Sequence, residues 1–127
     1  MLVDLNIELI KYLASKLGLS PVFARSSQLN VTGKRTELLL NICKTLKADR
    51  YVSSVGAEGY MMEDDAVPLF RSEGISVDFL EYTHPKYPQL FESFIPNLSS
   101  AGCLFNCGPD SSRIIFDEKL TKFYSYR

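Results

Sequence analysis

The chain has 127 residues, with 14 Lys plus Arg against 15 Asp plus Glu and a formal charge of −1. Hydrophobic residues at 46% and charged residues at 23% are ordinary globular values and argue against an intrinsically disordered chain. The near-balance of charge argues against a nucleic-acid surface or an anionic-membrane surface, both of which need a basic excess.

The length fits one domain, and we read residues 1–127 as a single α/β domain. Met1-Leu2-Val3 runs at once into Asp4, and Glu8 and Lys11 interrupt the apolar run, so the N-terminus does not resemble a secretory signal. Cys43, Cys103 and Cys107 form an odd set, which suits reduced thiols in a cytoplasm.

In chain order, residues 2–17 have the pattern of an amphipathic helix, with Leu2, Leu5, Leu9, Leu13 and Leu17 recurring at three- and four-residue steps. Gly18 supplies a left-handed stop, and Pro21 bars continuation. Val22-Phe23-Ala24 is a short strand candidate with Arg25-Ser26-Ser27 as its polar end. A helix follows over about 34–47, its apolar residues covering most of its circumference.

Tyr51-Val52 predicts a second strand ending in Ser53-Ser54, and a weaker helix spans about 63–72, limited by Pro68. Ile75, Val77 and Phe79 alternate with polar neighbours up to Tyr82, the period of a strand with one polar face. After a loop containing Pro85, Pro88 and Pro96, helices are expected over about 98–106 and 110–123. The expected fold is α/β: a small, mainly parallel sheet of about three strands with helices packed on it and a helical C-terminal part.

In such sheets ligands gather beyond the carboxyl ends of the strands. Those ends here carry Arg25, Ser53, Ser54, Glu81, Tyr82 and the single histidine, His84. His84 is a candidate general acid/base, with Glu81 to orient it. Arg25, Ser53, Ser54, Tyr82 and Tyr87 are candidate substrate contacts beside it. The plain alternative is a structural histidine packed between tyrosines.

Gly33-Lys34-Arg35-Thr36 opens a helix but fails the phosphate-loop pattern. Two cations at a helix start still oppose the helix dipole, and a docked phosphate would resolve that. Lys34 and Arg35 are therefore candidate anion contacts, against the alternative that both point to water. Cys103 and Cys107 lack the spacing of a metal motif and are expected to pack as small hydrophobes. Glu63-Asp64-Asp65 has the composition of an acidic helix start. No metal and no cofactor is expected.

Several blocks, taken in order, resemble the WbqC-like proteins. They are Gly33-Lys34, the run from Glu37 to Lys44, Ala48 to Ser53, Gly56-Ala57, His84-Pro85, Tyr87-Pro88-Gln89-Leu90, Phe94 to Ser99, and Leu104 to Pro109. The resemblance covers about residues 2–115. It implies a bacterial, cytoplasmic protein of surface-polysaccharide biosynthesis, O-antigen type, that is transferase-like and takes a sugar nucleotide or other phosphorylated small molecule.

Members are longer and open with a block resembling His-Gln-Pro-x-Tyr-x-Pro-Trp, so this chain corresponds to the C-terminal half. The other readings are a non-catalytic binding or assembly domain completed by a second copy or a partner chain, and a truncated remnant.

Overall fold

A computed structural model describes residues 1–91 and 93–126. The chain falls into two compact units: Met1–Val22 with Thr83–Leu120, and Phe23–Tyr82 with the segment from Thr121 onward. No helix among the described residues is long and apolar enough to cross a membrane.

The second unit holds the sheet. Helix α2 (Arg35–Thr45) leads to strand β1 (Arg50–Ser54), helices α3 (Glu58–Glu63) and α4 (Ala66–Ser72) follow, and strand β2 (Ser76–Tyr82) comes next. Strand β3 (Thr121–Tyr126) returns from the far end of the chain, giving the order β1-β2-β3. β1 lies parallel to β2, with Tyr51 opposite Val77, whereas β3 lies antiparallel to it, with Tyr124 opposite Phe79.

One sheet face packs on the helices. Val77 and Phe79, at 1% and 0% exposure, join Phe70, Met61, Leu40 and Ile75 in the core. The register puts Tyr51, Tyr124 and Tyr126 on that same face.

Helix ends follow from local chemistry. Three helices close with the same Schellman motif, in which the last carbonyls accept from amides beyond the helix. After α2, Ala48 N–H donates to Cys43 O at 2.9 Å and Lys47 N–H to Lys44 O at 3.1 Å. Behind α4, Ile75 N–H donates to Phe70 O and Gly74 N–H to Arg71 O. Pro68 sits in the first turn of α4, where its missing N–H has no helical partner to lose.

The first unit is built from helix α1 (Leu2–Lys16), the loop after Thr83, α5 (Ser100–Cys107) and α6 (Ser111–Ile115). α1 ends in the third Schellman motif at Gly18, whose φ is 75°. Leu17, Pro85, Tyr87, Cys103 and Ser111 are buried in it. Ser111 Oγ donates to Cys103 O at 3.0 Å and Ser112 Oγ to Leu17 O at 2.9 Å, tying α6 to α5 and to the end of α1.

Four expectations are corrected. Val22-Phe23-Ala24 forms no strand: Val22 is 99% exposed and the segment has no ladder partner. Arg25-Ser26-Ser27 therefore ends no strand; Ser26–Gln28 is a 3₁₀ turn.

The sheet is mixed rather than mainly parallel, because its third strand is the C-terminal one. The C-terminal part is helical only as far as a 3₁₀ turn over Glu118–Leu120. Asp117 starts that turn, its Oδ1 accepting from Lys119 N–H and its carbonyl from Leu120 N–H. The aromatic run that follows then pairs with β2 instead of continuing a helix.

The helix expected over about 63–72 is two helices, α3 and α4, meeting at Asp65 in a left-handed conformation with φ 51°. The acidic cluster lies at that junction and not at the start of one helix.

Candidate functional site

The second unit carries seven of the residues singled out from sequence. Ser53 and Ser54 end β1, and Glu81 and Tyr82 end β2, so the carboxyl ends of the parallel pair are polar, as the pattern predicts. Ser53 shares a face with Tyr51. Burial pushes the Tyr51 phenol above its ordinary value, with a hydrogen bond to Ser53 working the other way. Tyr82 and Ser54 are exposed, and Arg25 is half-buried.

Glu81 has a partner across the sheet. Tyr124 Oη donates to its Oε2 at 2.7 Å, which holds the phenol above its usual value. A second bond of this kind runs from Tyr126 Oη to Glu58 at the start of α3.

The start of α2 is built around a carboxylate of the chain itself. Lys34 is extended and exposed at the N-cap, and Arg35 follows with φ at 49°. Arg35 Nε donates to Asp64 Oδ2 at 3.0 Å, and the buried Thr36 hydroxyl donates to the same oxygen at 2.9 Å. Asp64 thus supplies an anion to Arg35 at this helix start. Sequence reasoning missed this role, because the contact spans 29 residues and Asp64 sits in a cluster that reads as local capping.

His84 and Tyr87 belong to the first unit. His84 Nδ1 is buried and has no hydrogen-bond partner among the described residues. The ring lies 5.9 Å from the Tyr87 ring and 6.0 Å from the Phe94 ring, and Tyr87 and Phe94 meet edge to face at 5.7 Å. Tyr87 is 6% exposed, so it fixes the cluster from inside.

Next to these rings is an open pocket of about 390 Å³ lined by Tyr87, Pro88, Gln89, Leu90, Phe91 and Phe94. Its wall is braced by one side chain. Gln89 Nε2 donates to Ile95 O, and Ile95 N–H donates to Gln89 Oε1, both at 2.9 Å. Gln89 and Phe94 fall in blocks that resemble the family but were not named as site residues, and only the fold shows what the glutamine grips.

The arrangement offers an unpaired imidazole nitrogen, aromatic faces and a rigid rim. Aromatic faces suit the flat face of a base or the C–H face of a sugar, and the nitrogen can accept a proton from a hydroxyl. Cys43 and Cys103 are buried, and burial pushes the Cys43 thiol up. No group of three or more His, Cys, Asp or Glu among the described residues is placed to hold a metal ion.

Comparison with known proteins gives a consistent picture. The WbqC-like protein family matches residues 1–114. The uncharacterized protein Rv1507c of Mycobacterium tuberculosis is 32% identical over 108 residues, which cover 84% of this chain and 45% of the mycobacterial protein. The chain thus spans less than half the length of that relative. No solved structure matches. With nearly the whole chain inside the family's match, the protein belongs to the WbqC-like protein family.

Proposed function

We propose that the chain is a transferase-like part of bacterial surface-polysaccharide biosynthesis, of the O-antigen type, and that it binds a phosphorylated sugar precursor such as a sugar nucleotide. The family supports the direction, and one observation carries the site: the buried, unpartnered Nδ1 of His84 beside the Tyr87–Phe94 rings. A buried polar atom without a partner costs free energy, so it marks a place where a ligand group completes the bonding. In this reading Tyr87 and Phe94 stack on the sugar or base ring, and Nδ1 takes the proton of an attacking hydroxyl. Lys34, at the start of α2 in the other unit, is put forward separately as a phosphate contact.

A panel of uridine, guanosine and thymidine diphosphate sugars tests the proposal through the melting temperature. A ligand at a hundred times its Kd stabilises the fold by about 2.7 kcal/mol. The expected result is a shift with at least one sugar nucleotide that is abolished in His84→Gln and reduced in Lys34→Ala. A panel that leaves the melt unmoved, or a shift that survives His84→Gln, overturns the assignment.

A second reading, a non-catalytic assembly domain, is favoured by a different observation. Leu2, Leu5 and Leu9 on α1 are exposed.

A further inference from the structure

Helix α5 begins behind a serine N-cap. Ser99 Oγ accepts from Ala101 N–H at 3.2 Å, and Ser99 O accepts from Gly102 N–H at 2.8 Å. Ser100 is the first helical residue, and its N–H has no acceptor among the described residues, as expected at a helix start. No acidic side chain stands in that first turn, so nothing within it offsets the positive end of the helix dipole.

Tyr87 points at this turn. It is 6% exposed, yet its hydroxyl has no hydrogen-bond partner among the described residues. Its Oη lies 3.4 Å from the point where a Cβ on Gly102 would stand. Gly102 is the third residue of α5, and a Cβ there tilts toward the start of the helix. In a capping box, a Glu or Gln at this position reaches back over the helix start. Gly102 has no side chain to do so, and the tyrosine hydroxyl stands in that space instead. A buried tyrosine hydroxyl ordinarily finds a partner in the fold. This one is held against a helix start with none.

We propose that the start of α5 is an anion subsite that takes a phosphate group, with Ser100 N–H and Tyr87 Oη as its donors. A phosphate oxygen accepts from both, and the helix dipole favours its charge. The ring of the same tyrosine lies 5.9 Å from the His84 ring and meets Phe94 edge to face. One side chain therefore links the aromatic pocket to the helix start. A sugar precursor lying on the rings would bring its phosphate to Tyr87 Oη. That placement rests on the sugar-nucleotide reading, whereas the anion subsite itself does not.

The test is a titration of the whole chain with inorganic phosphate, followed by amide NMR, with sodium chloride at matched ionic strength as the control. A saturable shift of the Ser100 amide is expected with phosphate and not with chloride. Tyr87→Phe keeps the ring and removes only the unpaired hydroxyl. It should leave the melting temperature unchanged and raise the phosphate Kd at least threefold. Gly102→Asp puts a carboxylate in the first turn, where a helix tolerates it well, and should abolish the shift.

A Ser100 amide that phosphate does not saturate overturns the proposal. So does a Kd that is the same in Tyr87→Phe, or a lowered melting temperature in that variant, which would give the hydroxyl a partner in the fold. Sugar nucleotides separate the subsite from the reading it deepens. Sugar-nucleotide binding that needs His84 but leaves the Ser100 amide unmoved overturns the subsite and spares that reading. Saturable phosphate binding at Ser100, with no sugar nucleotide bound, supports the subsite and overturns that reading.

Discussion

Arg35 and Asp64 meet across 29 residues of sequence, Nε to Oδ2 at 3.0 Å, at a helix start where Arg35 has a positive φ. A non-glycine residue in that region is strained, and it persists because the surroundings hold it there. The arginine is 61% exposed, so the ion pair by itself contributes little. Thr36 is different. It is buried, and its hydroxyl has Asp64 as an acceptor. Asp64→Ala should therefore cost about 1–2 kcal/mol, and Arg35→Ala less than about 0.5 kcal/mol, in denaturant melts.

A companion experiment separates a resident anion from a vacant anion site. Inorganic phosphate should stabilise Asp64→Asn more than the parent chain, because the variant leaves Arg35 without its carboxylate. Equal stabilisation of both proteins would count against Asp64 as the occupant.

How much of this was legible in the sequence depends on the range of the interaction. The stop at Gly18, helix α2 and strand β2 were readable, because periodicity and left-handed glycine act within a few residues. β3 was not, although Thr121-Lys122-Phe123-Tyr124-Ser125-Tyr126 has the β-branched and aromatic content of a strand. Its partner is some 40 residues earlier, and nothing local to Phe123 points to Leu80 opposite it. His84 and Tyr87 could be named as neighbours from their spacing. Phe94, which completes the cluster, is brought in by a proline-rich loop with no period to read.

The tie between Tyr124 and Glu81 makes a prediction about alkaline stability. The carboxylate holds the phenol's pKa above its unfolded value. A group with a raised native pKa contributes stability that is complete below the unfolded value, about 10 for tyrosine. That contribution fades as pH climbs through the higher native value. Tyr126 with Glu58, and the half-buried Tyr51, act in the same direction. The melting temperature should fall as pH rises past about 10, more steeply for the parent chain than for a Tyr124→Phe, Tyr126→Phe variant. A parallel fall in both proteins would mean that these bonds do not hold β3.

Arg50 and Asp78 form an ion pair on the other sheet face, between β1 and β2. The Asp78 side chain is 6% exposed, whereas that of Arg50 is half exposed and lies over the Phe123 ring at 5.2 Å. One cation thus links all three strands. Removing it leaves a buried carboxylate, which costs about 3–5 kcal/mol where both partners are buried. With Arg50 half in water, Arg50→Ala should cost about 2–3 kcal/mol in urea unfolding. Arg50→Lys keeps the charge but loses the planar fork and its stacking, so it should fall between the two. A loss below about 0.5 kcal/mol for Arg50→Ala would mean that Asp78 is satisfied without it.

Gln89 is the most economical test of whether the loop beside His84 is prearranged for a ligand. Its carboxamide gives and takes one hydrogen bond with the Ile95 backbone, as a neighbouring strand would. Gln89→Glu keeps the acceptor facing Ile95 N–H and turns the donor into a carboxylate oxygen facing Ile95 O. The two oxygens repel, so the loop should open while the rest of the first unit stays folded.

The expected signature is local: faster hydrogen exchange at the Ile95 amide, with a fall in melting temperature of no more than a few degrees. If the pocket binds a sugar nucleotide, its Kd should rise about tenfold, because the ordering of the loop would then be charged to binding at roughly 1.4 kcal/mol. Lowering the pH through the glutamate's pKa restores a donor, so exchange at Ile95 should slow again below about pH 4 in Gln89→Glu and not in Gln89→Ala. Unchanged exchange at Ile95 in both variants would show that the brace is not what holds the loop.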